Sequence, residues 1–253
     1  MKKLLFVCTL SAMVSLTVNG QGLKGVFNKV TKKDSTGKSS IDKMLGTSGS
    51  IGAGLNTDDI ASGLKEALKV GAEKGTAKLS TADGFFKDAA IKILMPEEAV
   101  KAEQKLRSIG FGKQVDNAIL TMNRAAEDAA KSATPIFVNA IKSMSIQDAV
   151  GILKGGDFAA TNYLKTKTTI ELTNSFRPVI EASLQKVDAT KYWNAVFSKY
   201  NMFSADKVNP DLTAYVTEKA LAGIFYQVGL EEQQIRKDPL ARTSDILKKV
   251  FAN

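Results

Sequence analysis

From Thr57 to the C-terminus the apolar residues of this chain return every third or fourth position, and prolines fall where that rhythm breaks. Such spacing gathers apolar groups on one face of a helix and leaves no alternating run long enough for a sheet. Ile60, Leu64, Ala67/Leu68 and Gly71 make the first face, on a helix running to about Leu79 behind the caps and first-turn acids of Asn56 to Asp59. Asp83-Gly84 reads as a turn. Residues 89–95 form a short apolar run whose type periodicity does not settle. Pro96 opens the next helix, with Glu97 and Glu98 as first-turn acids, and Gly110 closes it. Lys113 to Lys131 is amphipathic, with Val115, Ala118/Ile119, Met122, Ala126 and Ala129 inward.

The pattern continues to the end. A helix starts at Thr134-Pro135. Ser145-Ile146-Gln147-Asp148 resembles a capping box, and its short helix stops at Gly155-Gly156. Asp157 to about Lys167 and Thr169 to Val187 read as two helices, with Pro178 kinking the second or lying near its start. Asp188 introduces a segment carrying Trp193, Val196, Phe197 and Tyr200. Asn209-Pro210-Asp211 begins the longest helix, striped by Leu212, Val216, Ala220, Gly223 and Val228, and Asp238-Pro239 breaks it after Lys237. Thr243/Ser244 cap a last helix with Ile246, Leu247, Val250 and Phe251 inward. The expected fold class is all-α, a single bundle of eight to ten helices over residues 57–253. Gly71, Gly75 and Gly223 inside helices point to close helix–helix contact.

Two segments precede this domain. Met1-Lys2-Lys3, the apolar stretch Leu4 to Val18, and small residues ahead of Gln21 describe a secretory signal over residues 1–20, cleaved near Gly20/Gln21. Val7 stands where a lipid-anchor signal before Cys8 needs a small residue, which argues against lipidation. Residues 21–56 are a basic Gly/Ser/Lys tether. The formal charge of +9 is concentrated here: six lysines against two aspartates give the tether +4, while residues 57–253 carry 27 basic and 24 acidic groups. A nucleic-acid reader would instead gather its cations on a folded face, so no nucleic-acid partner is expected. Within the tether, Leu23/Val26/Phe27/Val30 and Ile41/Met44/Leu45 have helical spacing, which allows weak contact with an anionic membrane surface.

Export would leave a chain without histidine or cysteine, since the sequence has no His and its one Cys is Cys8. No Ser–His or Cys–His arrangement and no His-ligated metal site is then available, and no cofactor motif occurs. What remains is Asp/Glu, Lys, Tyr and Ser chemistry, as in a hydrolase working without His or Cys. The adjacent pairs Glu97/Glu98 and Glu231/Glu232 point about 100° apart on a helix and do not converge on one atom; they read as first-turn acids and a solvated face. More informative are polar groups set among apolar helix positions: Asn123, Arg124 and Glu127, then Lys167, then Tyr215, Glu218 and Lys219, and finally Arg242. They suit either a polar pocket for an anionic or amphipathic ligand or, as is commoner at bundle seams, interhelical salt bridges and caps.

Several segments carry a resemblance: Gly63 to Gly71, Met122 to Glu127, Ala140 to Ala149, Ile152 to Gly155 with Ala159 to Thr161, Lys167-Thr168, Tyr215 to Phe225, and Asp238 to Phe251. Over about residues 64–251 the chain resembles a bacterial family of exported helical proteins known only as a domain of unknown function. The resemblance implies an exported helical domain and no assigned activity. The expectation is therefore a periplasmic or envelope protein, non-enzymatic, that binds another envelope protein or an apolar or amphipathic ligand.

Overall fold

The computed structural model describes residues 57–203 and 207–237, without the side chains of Tyr192, Ala195, Val196 and Lys199. The chain divides into two units, Met1–Gly49 and Ser50–Asn253, and every described residue belongs to the second. The signal, the tether, the Asp238-Pro239 break, Arg242 and the last helix lie outside the described residues.

Among the described residues the chain is helical, with no strand. The elements are α1 (Thr57–Leu79), a 3-10 turn (Glu97–Ala99), α2 (Val100–Ser108), α3 (Gly112–Ala130), α4 (Ala133–Lys142), α5 (Ile146–Lys154), α6 (Ala159–Gln185), α7 (Ala189–Phe203) and α8 (Leu212–Lys237). The helical domain belongs to the all-α class that its periodicity indicates.

Central to the bundle are α6 and α8. Leu164, Leu172, Phe176, Ile180 and Leu184 line one face of α6 and are wholly buried; Val216, Ala220, Ile224 and Val228 do the same for α8. The two helices run antiparallel: Thr161 meets Glu232 at one end, and Arg177 pairs with Asp211 at 2.7 Å at the other. α1 lies along α8 in the opposite sense, with Gly71 facing Ile235 and Glu231, and Gly75 facing Gln227. Small residues let the helices approach there. α3 packs a nearly all-alanine face, Ala125, Ala126, Ala129 and Ala130, into the same core.

Residues 157–187 do not make two helices. α6 continues unbroken from Ala159 through Pro178 to Gln185. The threonine-rich stretch at its middle does not interrupt it, because each hydroxyl bonds back into the helix: Thr168 Oγ1 donates to the Leu164 carbonyl at 2.6 Å, Thr169 to Lys165 at 2.6 Å and Thr173 to Thr169 at 2.7 Å. That back-bonding satisfies the hydroxyls without removing the backbone from the helix.

The solvated-face reading of Glu231/Glu232 is also overturned. Both are buried, at 8% and 5% exposure. Glu232 accepts from the N–H groups of Ala160 and Thr161 (3.1 and 2.8 Å) and from Thr161 Oγ1 (2.7 Å), while Arg236 pairs with it at 2.8 Å. The carboxylate thus caps the first turn of α6 from another helix, where the helix dipole favours negative charge. Glu231 pairs with Lys74 of α1 at 3.3 Å and accepts from the Gln227 amide.

The capping box forms as the sequence indicates. Ser145 Oγ accepts from the Asp148 N–H at 3.1 Å, and Asp148 accepts from the Ser145 N–H at 3.0 Å. The Ser145 hydroxyl and backbone bonds hold the Asp148 carboxyl below the ordinary range, with Lys167 and Lys65 adding to the effect.

Candidate functional site

Residues 89–95 become a turn followed by an irregular segment that lies across the bundle between α3 and α8. A positive φ of 70° at Asp83 starts the excursion. The next position must be glycine: a Cβ on Gly84 would sit 2.6 Å from the Lys78 carbonyl oxygen. Arg124 holds the turn by pairing with Asp83 at 2.7 Å, and Lys87 closes on the same carboxylate at 2.8 Å. Hydrogen bonds from Lys87, then Arg124, keep the Asp83 carboxyl below its usual range.

Two α3 side chains then take the place of a partner strand. Asn123 is fully buried; its Oδ1 accepts from the Ile93 N–H at 2.9 Å and its Nδ2 donates to the Ile93 carbonyl at 2.8 Å. One turn on, Glu127 Oε1 accepts from the N–H groups of Phe85 and Phe86 at 3.1 and 3.2 Å, and its Oε2 receives Arg124 at 2.6 Å. Four buried or half-buried backbone groups without a secondary-structure partner are satisfied by these two residues, as buried backbone demands. A second asparagine repeats the device: Asn201 Oδ1 accepts from the Val208 N–H at 2.8 Å and Asn201 Nδ2 donates to the Val208 carbonyl at 2.7 Å, holding Val208 to the end of α7.

The 90–98 segment, Asn209 and the outer face of α8 line a groove of about 790 Å³. Ile91 and Ile93 lie on its floor, Leu94 and Pro96 on one side, and Ala214, Ala222 and Tyr226 on the α8 side. The floor is close to α8 because residue 223 is glycine: a Cβ there would lie 2.5 Å from Phe85 Cε1 and 3.4 Å from Ile91 Cβ. Leu94 and Tyr226 leave much apolar surface in solvent, at 55% and 46% exposure. Lys219 sits 5.6 Å from the centre of the Tyr215 ring, and Glu97, Glu98 and Glu218 complete the polar rim.

Tyr215 joins the groove to the clamp. Its hydroxyl donates to the Leu94 carbonyl at 2.8 Å. Burial, then the charges of Glu98, Glu218 and Glu97, push the phenol up to about 12. The group therefore stays protonated at neutral pH and serves as a hydrogen-bond donor, not as a base.

The candidate residues thus separate. Asn123, Arg124 and Glu127 form the clamp behind the loop; Tyr215, Glu218 and Lys219 lie in the groove before it. Lys167 belongs to neither: it is exposed on α6, 5.7 Å from the Tyr163 ring. Arg242 lies outside the described residues. Lys92, Glu97, Glu98 and Tyr226 join the groove, and Glu232 the α6 cap, without having been candidates. Among the described residues no cluster of three or more acidic residues is arranged to hold a metal ion, and no single helix is long and apolar enough to cross a membrane.

A family model described as a protein of unknown function, DUF4197, matches residues 54–252. No curated protein and no solved structure matches the chain.

Proposed function

The chain belongs to the DUF4197 family, and from that premise we propose that it is an exported, non-enzymatic binding module of the cell envelope whose ligand site is the groove between the 90–98 segment and α8. The observation that carries the reading is that side-chain hydrogen bonds hold the backbone behind the groove. Asn123 and Glu127 satisfy backbone groups of Phe85, Phe86 and Ile93 with side chains, and Asn201 does the same for Val208. A concavity with an apolar floor and a polar rim is the usual form of a ligand site. The same groups are spent on hydrogen bonds, which argues for recognition over catalysis: Tyr215 keeps its proton, and Glu127 is bound to two N–H groups and a guanidinium. Export rests on the signal-like first twenty residues.

Two measurements test this reading. Fractionation of the native cells is expected to place a processed chain beginning near Gln21 in the periplasm or envelope; an unprocessed cytoplasmic chain would refute export. Native mass spectrometry of protein purified from those cells is expected to show a bound species that is lost in Ala222→Trp. Ala222 is exposed and lines the groove, so the indole fills the groove without entering the core. Bare protein in both samples refutes the groove.

A further inference from the structure

We propose that the occupant of this groove is an extended, cationic peptide segment of a partner protein, with apolar residues on the floor and Lys or Arg side chains against Glu97, Glu98 and Glu218. The inference rests on the groove being the ligand site, and two further observations support it.

The first is charge. None of these three glutamates has an ion-pair partner among the described residues, although most of the other surface carboxylates near this loop do: Asp83 with Lys87 and Arg124, Asp88 with Lys78, Glu103 with Arg107. All three lie near enough to one hydroxyl, that of Tyr215, to act on it. The groove's two cations are already placed on aromatic rings, Lys92 at 4.0 Å from the centre of Phe86 and Lys219 at 5.6 Å from that of Tyr215. Three carboxylates against two ammonium groups leave the lining one negative charge in excess, beside an apolar floor.

The second is backbone direction. In an extended segment a residue turns its N–H and C=O to one edge and its neighbour turns both to the other. Ile93 gives both groups to Asn123. Leu94 must then face the opposite edge, and its carbonyl does so, meeting Tyr215 on the α8 side. Extended geometry puts the Leu94 N–H on the same edge, and it donates to no described residue. It offers a donor to a peptide carbonyl, as at the edge of a sheet, while Pro96, without an N–H, ends the pairing two residues later. Alternate side chains of a bound strand would then point to the floor and to the rim.

Fluorescence anisotropy with a labelled peptide alternating lysine and valine tests the proposal, alongside a glutamate–valine peptide and anionic phospholipid vesicles. The lysine peptide is expected to bind saturably and to weaken with added salt. The Glu97→Gln/Glu98→Gln/Glu218→Gln variant is expected to bind about tenfold more weakly, as three partly exposed ion pairs would predict. Ala222→Trp is expected to abolish binding. Equal binding of both peptides, preference for the vesicles, or indifference to the triple substitution overturns the cationic peptide. If the lysine peptide does not bind while native protein still carries an Ala222→Trp-sensitive species, the peptide proposal fails and the groove stands. If that species is absent too, both fail. Circular dichroism of each variant separates lost binding from lost folding.

Discussion

Replacing Asn123 with leucine removes the clamp while keeping the number and branching of the side-chain heavy atoms. Ile93 is buried, and both its N–H and its C=O end on the Asn123 carboxamide at 2.9 and 2.8 Å. In Asn123→Leu these two groups have no partner and no ready access to water. Leaving a buried polar group unsatisfied costs about 1–3 kcal/mol, so the pair should cost about 2–6 kcal/mol. The third bond, from Nδ2 to the Ile119 carbonyl, adds little, since that carbonyl lies within α3 and keeps its helical partner. With a urea dependence of about 2 kcal/mol per M, a loss of about 3 kcal/mol lowers the unfolding midpoint by about 1.5 M. Urea titration followed by circular dichroism measures this. Hydrogen exchange at the Ile93 amide locates it: the amide should lose more protection than those of α6, because the segment opens locally before the bundle unfolds. A loss under about 1 kcal/mol with the Ile93 amide still protected would refute the clamp.

Gly223→Ala should lower the melting temperature despite alanine's better helix propensity, because the new methyl would meet the buried Phe85 ring at 2.5 Å and overpacking costs about 1–3 kcal/mol; an unchanged or higher value would show that the loop does not rest on α8. Glu232→Ala should cost about 3–5 kcal/mol by leaving the first N–H groups of α6 and the Thr161 hydroxyl unsatisfied and by removing the buried carboxylate beside Arg236, read by chemical denaturation. Asp148→Ala should cost about 1 kcal/mol at neutral pH. The Asp148 carboxyl is lowered in the folded state, so its contribution is full above the ordinary aspartate range and fades as pH falls through the folded value. The wild-type and variant midpoints should therefore converge in acid. Spectrophotometric titration should find one of the five tyrosines ionising near 12 and missing in Tyr215→Phe. Because folding raises this phenol, the stability it contributes is full below about 10 and is lost as pH rises toward 12.

What the sequence made legible were features encoded within one helix. The faces of α1, α3 and α8, the Ser145 box and the Gly110 stop follow from spacing and capping, which need no knowledge of neighbours. The Arg124–Glu127 pair was visible for the same reason, being three residues apart on α3. What lay hidden depended on partners distant in sequence. Glu232 resembles a solvated acid until α6 is known to begin against it, 71 residues earlier. Asn123 showed only as a polar group in an apolar stripe; its partner, Ile93, sits in a run whose structure is set by the clamp and not by its own periodicity. The break expected near Lys167 failed because threonine-rich stretches carry low helix propensity, and only the observed back-bonds show how α6 accommodates them. The groove could not be read at all. Its α8 residues fall on the outward side of an amphipathic helix, where Ala222 and Tyr226 look like ordinary surface until the 90–98 segment crosses them.

Occupancy in the living cell is the most direct test. A photo-crosslinking amino acid placed at Tyr226, in the groove, is to be compared with the same group at Ile170, which is 78% exposed on α6. The groove position should yield a discrete adduct of fixed mass on irradiation of native cells, and the Ile170 position none of that mass. No adduct at Tyr226, or the same adducts at both positions, would contradict the assignment of this groove as the binding site.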